Sequence, residues 1–104
     1  MDEHRIPWPE MAWQPGNHPL EQKKVAPGPC ALLRFRPGFA DPNLCERSHV
    51  MHIIEGTLTL ELRDSVAEYR PGQSVLLPKG TAHRARNDSQ SDVVVLAVSD
   101  VTWA

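Results

Sequence analysis

Gly72-Gln-Ser-Val-Leu-Leu-Pro-Lys-Gly-Thr-Ala-His-Arg-Ala-Arg-Asn87 is the stretch whose reading decides the fold. Pro71-Gly72 marks a turn. Ser74 to Leu77 is a short β-favouring apolar run, suited to a strand buried on both faces. Pro78-Lys79-Gly80 makes a second turn, because proline presets its own φ and glycine is free to take φ > 0. The chain re-enters a strand at Thr81, with His83 one step inside it, close to the rim. A histidine held at the mouth of a β-structure by a rigid Pro-x-Gly corner is placed as a metal ligand or a catalytic base would be.

The same texture extends outward. Ala31 to Arg36 alternates, with Leu33 and Phe35 on one side and Arg34 and Arg36 on the other. Pro37-Gly38 turns it, and Phe39 to Leu44 is a loop with Asp41-Pro42-Asn43 as turn chemistry. Ser48 to Ile54 is a strand ended by Glu55-Gly56. Thr57 to Arg63 alternates Leu58, Leu60 and Leu62 against Thr57, Thr59 and Glu61. Val66 to Tyr69 returns after Asp64-Ser65, Val93 to Val98 is a central β run, and Val101 to Trp103 adds a last edge. No segment shows a sustained helical period. Short strands at roughly 8–12-residue spacing, split by Pro-Gly turns, predict an all-β sandwich or barrel.

The N-terminus differs. Six of the ten prolines fall within residues 1–29, which rules out a long helix there. This segment reads as an irregular Pro-rich arm, with a short edge strand at Val25 and Ala26, ahead of a barrel over residues 30–104. Trp8 and Trp13 have no core of their own and must dock on the barrel or on a partner chain.

The spacing Gly72-x5-Pro78-x-Gly80-x2-His83-x3-Asn87 resembles the second motif of the cupin superfamily at every fixed position, and the likeness spans residues 31 to 98. The resemblance implies a jelly-roll β-barrel (a double-stranded β-helix). It also implies a first motif, Gly-x5-His-x-His-x3-Glu-x6-Gly, whose three ligands join the second motif's histidine on a metal. Ile53-Ile54-Glu55-Gly56 is similar to the end of that motif. Counting back from Gly56, the glutamate's place falls on His49 and the two histidine places on Asn43 and Cys45. The chain is similar to small cupins with a Cys-x3-His-x6-Gly version.

The cluster so implied is Cys45, His49 and His83, with Asn43 as a weak oxygen donor. Strand alternation places Met51 and Ile53 inside if His49 faces inward, and His52 outside, which excludes it as a ligand. An inward His83 puts Arg84 and Arg86 outside. A thiolate with two imidazoles suits Zn²⁺ and leaves a fourth position for water or substrate. Without the glutamate, Fe²⁺ or Mn²⁺ chemistry is disfavoured, and Ni²⁺ is a further alternative. Three other readings stand beside the metal. The histidines are hydrogen-bonded core residues around a metal-free pocket; or Cys45 and His49 form a nucleophile–base pair; or Cys45 pairs with Cys30 in a disulfide.

Composition narrows the classes. With 104 residues one domain is expected, and a net charge of −2 gives no reason to expect a nucleic-acid partner. No apolar run approaches the ~20 residues of a membrane span. The first residues lack a charged-then-apolar leader, so a cytoplasmic location is expected. Glu46 and Arg47 are expected at the barrel mouth as a solvated pair, and Glu61 on a solvent face unless that face lines the cavity. Apolar residues such as Val50 and Ile54, on the strand face opposite the core, predict a homodimer. The expected function is a ligand-binding or sensor module holding a metal ion, a small molecule or both. The alternative is a zinc-type lyase, isomerase or hydrolase acting on a small carbonyl or carboxylate compound.

Overall fold

A computed structural model describes residues 4–100. Their strands are β1 (Gln14–Pro15), β2 (Glu21–Val25), β3 (Cys30–Phe35), β4 (His49–Glu55), β5 (Leu58–Leu62), β6 (Val66–Tyr69), β7 (Ser74–Leu77), β8 (His83–Arg86) and β9 (Val93–Ser99). A single 3-10 turn, Trp8–Glu10, precedes them. All pairings are antiparallel. One sheet runs β1-β2-β3-β9-β4-β7 and the other β6-β5-β8. This is the two-sheet, all-β architecture that the alternation predicts.

The inward residues of both sheets make one core. Phe35, Met51, Ile53, Val93 and Val95 from the larger sheet meet Leu58, Leu60 and Ala85 from the smaller. Phe35 stacks on Phe39, ring centroids 4.3 Å apart. Met51 and Ile53 are buried and His52 is exposed, as the register predicts.

The N-terminal segment departs from the irregular arm with a strand at Val25–Ala26. Glu21 to Val25 pairs residue for residue with Phe35 back to Ala31, and Gln14-Pro15 pairs with Lys23-Gln22. The polar run Glu21-Gln-Lys-Lys24 carries no apolar alternation, because backbone pairing to β1 and β3, rather than burial of apolar side chains, holds it in place. The Trp13 ring docks on its own barrel, and Trp8 is tied to it through its backbone. The Lys24 ammonium donates to the Trp8 carbonyl at 2.8 Å, and Lys24 and Arg34 lie 4.7 and 4.4 Å from the Trp13 ring centroid. Such cation–π contacts contribute about 0.5–2 kcal/mol each. The expected edge strand at Val101–Trp103 lies outside the described residues.

Candidate metal centre

Three elements converge at one end of the barrel. His83 opens β8, His49 opens β4, and Cys45 sits in the loop before β4. The Pro78–Gly80 corner is built as its residues require. Gly80 takes φ +92°, Thr81 N–H donates to the Pro78 carbonyl at 3.0 Å, and Gly80 N–H donates to the Glu46 carbonyl at 2.8 Å. The last bond ties the corner to the loop carrying Cys45. Cys45 and His83 then form an antiparallel bridge.

One ligand atom from each of Cys45, His49 and His83 lies within 4.8 Å of the others. The Cys45 Sγ to His49 Nε2 distance is 3.8 Å, and the two imidazoles meet edge to face with centroids 5.0 Å apart. A tetrahedral zinc site needs its donors roughly 3.3–3.6 Å apart, from bond lengths of about 2.0–2.3 Å. A contraction of about an ångström, within the reach of side-chain rotation, closes the set. The donor types fit zinc, so Cys45, His49 and His83 are the residues that could hold it.

Each imidazole has one nitrogen already committed. His83 Nδ1–H donates to the Thr81 carbonyl at 2.8 Å, which leaves Nε2 with its lone pair. His49 Nδ1 lies 2.9 Å from Ser99 Oγ, and its Nε2 faces the thiol. Burial, followed by the neighbouring His83 and Arg47, holds the His49 pKa below the ordinary histidine value. The ring therefore stays neutral at pH 7, as a ligand must. Cys30 and Cys45 are both free thiols, so the disulfide reading is not realised.

The cluster forms part of the wall of a cavity of about 380 Å³, whose apolar side is Leu33, Phe35, Met51, Ala85 and Ala97. Asn43 is exposed and lines the same cavity. Arg47 also lines it, but its partner is Asp100, bound through two hydrogen bonds of 3.1 and 2.7 Å, and not Glu46. Glu61 lies away from the cavity, 2.9 Å from Arg84 and 3.0 Å from Arg86. This answers the question its strand left open.

Sequence reading missed Asp41, Glu21 and Ser99, all on the cavity wall. Asp41 reads as turn chemistry beside Pro42. In the fold its backbone N–H donates to the Ala85 carbonyl at 2.9 Å, and its Oδ2 accepts the Ala85 N–H at 3.1 Å. Burial raises its pKa, against the lowering effect of that hydrogen bond and of His83, His18 and Arg84. Only the pairing of loop to β8 brings it to the site, and no local pattern signals that.

The family profile described as a cupin domain matches residues 31–99. No curated protein matches the chain. Among solved structures, KdgF from Halomonas sp. is 24% identical, with a TM-score of 0.72 over 90% of this chain and 92% of that one. The polyketide cyclase RemF from Streptomyces resistomycificus is 17% identical, with a TM-score of 0.75 over 96% and 86%. A cupin-superfamily sugar phosphate isomerase from Silicibacter pomeroyi is 17% identical, with a TM-score of 0.69 over 94% and 76%. Among the described residues no helix is long and apolar enough to cross a membrane. The profile match and the two-sheet topology together make this chain a member of the cupin family.

Proposed function

We propose that this small cupin holds one divalent metal ion on Cys45, His49 and His83 and offers it to a small molecule entering the cavity, as a ligand-binding or sensor module. One observation carries the reading: three metal-competent side chains converge to within 4.8 Å on the wall of an open cavity. Zinc is the first choice, since a thiolate with two imidazoles is a zinc-type set; iron, nickel and manganese follow. Asn43, exposed on the same wall, is the weak fourth donor. A barrel this short has little chain for lids, which favours binding over turnover.

A second reading is a metal-dependent lyase, isomerase or hydrolase. Asp41 favours it, as a partly buried carboxyl in the same cavity that could hold or pass a proton beside a bound ligand. Two of the similar structures are described as a polyketide cyclase and a sugar phosphate isomerase, so the fold accommodates such chemistry. Zinc bound here would supply Lewis acidity toward a carbonyl or a water.

The test is elemental analysis of untagged protein purified without chelator, beside Cys45→Ala. About one metal ion per chain, lost in the variant, supports the reading. Metal-free wild type after reconstitution, or unchanged content in the variant, overturns it.

A homodimer belongs to the same proposal. Ile54 and Leu76, on the strand face opposite the core, are 49% and 60% exposed, which supports a partner there. Sedimentation should give twice the 11.6 kDa chain mass, and Leu76→Glu should halve it; a monomeric wild type sinks this part alone.

A further inference from the structure

Resting on the reading that Cys45, His49 and His83 hold a metal, we infer that the cavity selects small ligands rich in hydroxyl or amino donors and rejects phosphorylated and other multiply anionic ones. The charged groups on the cavity wall carry the argument. Among the described residues, besides the metal cluster, they are Glu21, Asp41 and Arg47. Arg47, the one Lys or Arg side chain on that wall, is engaged by both oxygens of Asp100. Among the described residues the two carboxyls have no such partner. Glu21 Oε1 accepts one backbone N–H, from Asn17 at 2.7 Å. Asp41 Oδ2 accepts one, from Ala85 at 3.1 Å. A carboxylate has about four acceptor sites, so each keeps capacity for a ligand's donors.

Phosphate recognition draws on a free arginine fork or on the N-terminus of a helix. Arg47 is already paired, and the described residues form no α-helix. A second anionic group on the ligand would therefore meet Glu21 and Asp41, and a like charge in a confined site costs affinity. The metal is the one place for a carbonyl or a single anionic donor. Leu33, Phe35 and Met51 cover the carbon skeleton. At about 380 Å³ the cavity is at the small end for a ligand site. The class so defined is a hydroxy- or amino-substituted carbonyl compound of modest size.

A matched pair of metal-chelating probes tests this. Glycolohydroxamate and phosphoglycolohydroxamate differ only in the phosphate, and each perturbs the visible spectrum of cobalt(II). The full chain is loaded with cobalt, its cobalt content is measured, and both probes are titrated. The same is done with Asp41→Asn and, separately, Glu21→Gln, so that a fold defect in one leaves the other informative. Wild type should bind the unphosphorylated probe at least about fivefold more tightly, and this preference should fall in at least one variant. A smaller preference, a preference unchanged in both variants, or no response to either probe overturns the inference while cobalt uptake leaves the metal reading standing. A wild-type chain that takes up no cobalt overturns the metal reading, and this inference with it.

Discussion

The backbones of Cys45 and His83 exchange both of their hydrogen bonds, 2.7 Å from the Cys45 nitrogen to the His83 oxygen and 2.9 Å in return. Side chains of such a pair lie on the same face of the ladder. The thiol and the imidazole are therefore brought together by the main chain and not by their own contact. Ligand removal should then separate from loss of fold. Cys45→Ser keeps the bridge and replaces a thiolate with a poor zinc ligand. We expect its circular dichroism to match wild type, and zinc to raise the melting temperature of wild type alone. Zinc at a hundred times its Kd stabilises by about 2.7 kcal/mol, or roughly 10–20 °C for a chain this size. An equal zinc shift in the serine variant would remove Cys45 from the ligand set.

His52 tests the register of β4 from the other side. It is exposed, and its Nδ1 lies 2.8 Å from Ser74 Oγ on the face away from the cavity. His52→Ala should leave metal content unchanged and stability within about 0.5 kcal/mol, as for most surface changes. Loss of metal would mean that β4 is displaced by one residue, since a single-residue slip exchanges the two faces.

The β4 case also shows what could be read from the sequence. Period-2 alternation is a local property, so the inward Met51 and Ile53 and the outward His52 follow from it directly. The corner at Pro78–Gly80 was legible for the same reason: its φ demands are written in the residues. Glu21 to Lys24 was not legible as a strand, because an outer strand held by main-chain pairing needs no apolar pattern. Asp41 was not legible as a cavity residue, because its place depends on Ala85, far along the chain. Arg47 pairs with Asp100 instead of its neighbour Glu46 for a similar reason: β4 and β9 lie side by side, with His49 opposite Ser99.

Asn87, the last fixed position of the motif, is structural. It is 1% exposed. Its Nδ2 donates to the Phe35 and Ser91 carbonyls at 2.9 and 2.8 Å, and its Oδ1 accepts the Ser89 N–H and hydroxyl at 3.0 and 2.7 Å. All four bonds are lost in Asn87→Ala, and the carbonyl of the buried Phe35 loses its amide donor. Destabilisation of about 2–4 kcal/mol is expected in urea unfolding, with metal stoichiometry retained. A loss of metal without loss of stability would give Asn87 a role at the site instead.

Gly56 closes β4 at φ +78°, and a Cβ there would lie 2.3 Å from the Asp92 carbonyl oxygen. The obstacle is backbone, so no rotamer change relieves it. Gly56→Ala should cost at least about 2 kcal/mol, combining left-handed strain with displacement of the β9 entry. A melting temperature within a few degrees of wild type would show that this corner yields more readily than its packing implies.

Glu61 sets the acid limb of stability. Its carboxyl lies between Arg86 and Arg84, and hydrogen bonds from these, Arg86 foremost, hold its pKa below the ordinary glutamate value. The folded pKa lies below the unfolded one. The added stability is therefore complete above about pH 4.3 and is lost as pH falls through the folded value. Glu61→Gln removes this contribution and leaves Arg47–Asp100 and Arg86–Asp88 to titrate in both proteins. Wild type should melt higher than the variant at pH 7, and the gap should shrink between about pH 4.5 and pH 3. Because the pair is solvent-accessible, high salt should narrow the gap at pH 7 as well. A gap that stays constant from pH 7 to pH 3 would show that Glu61 acts through packing and not through its charge.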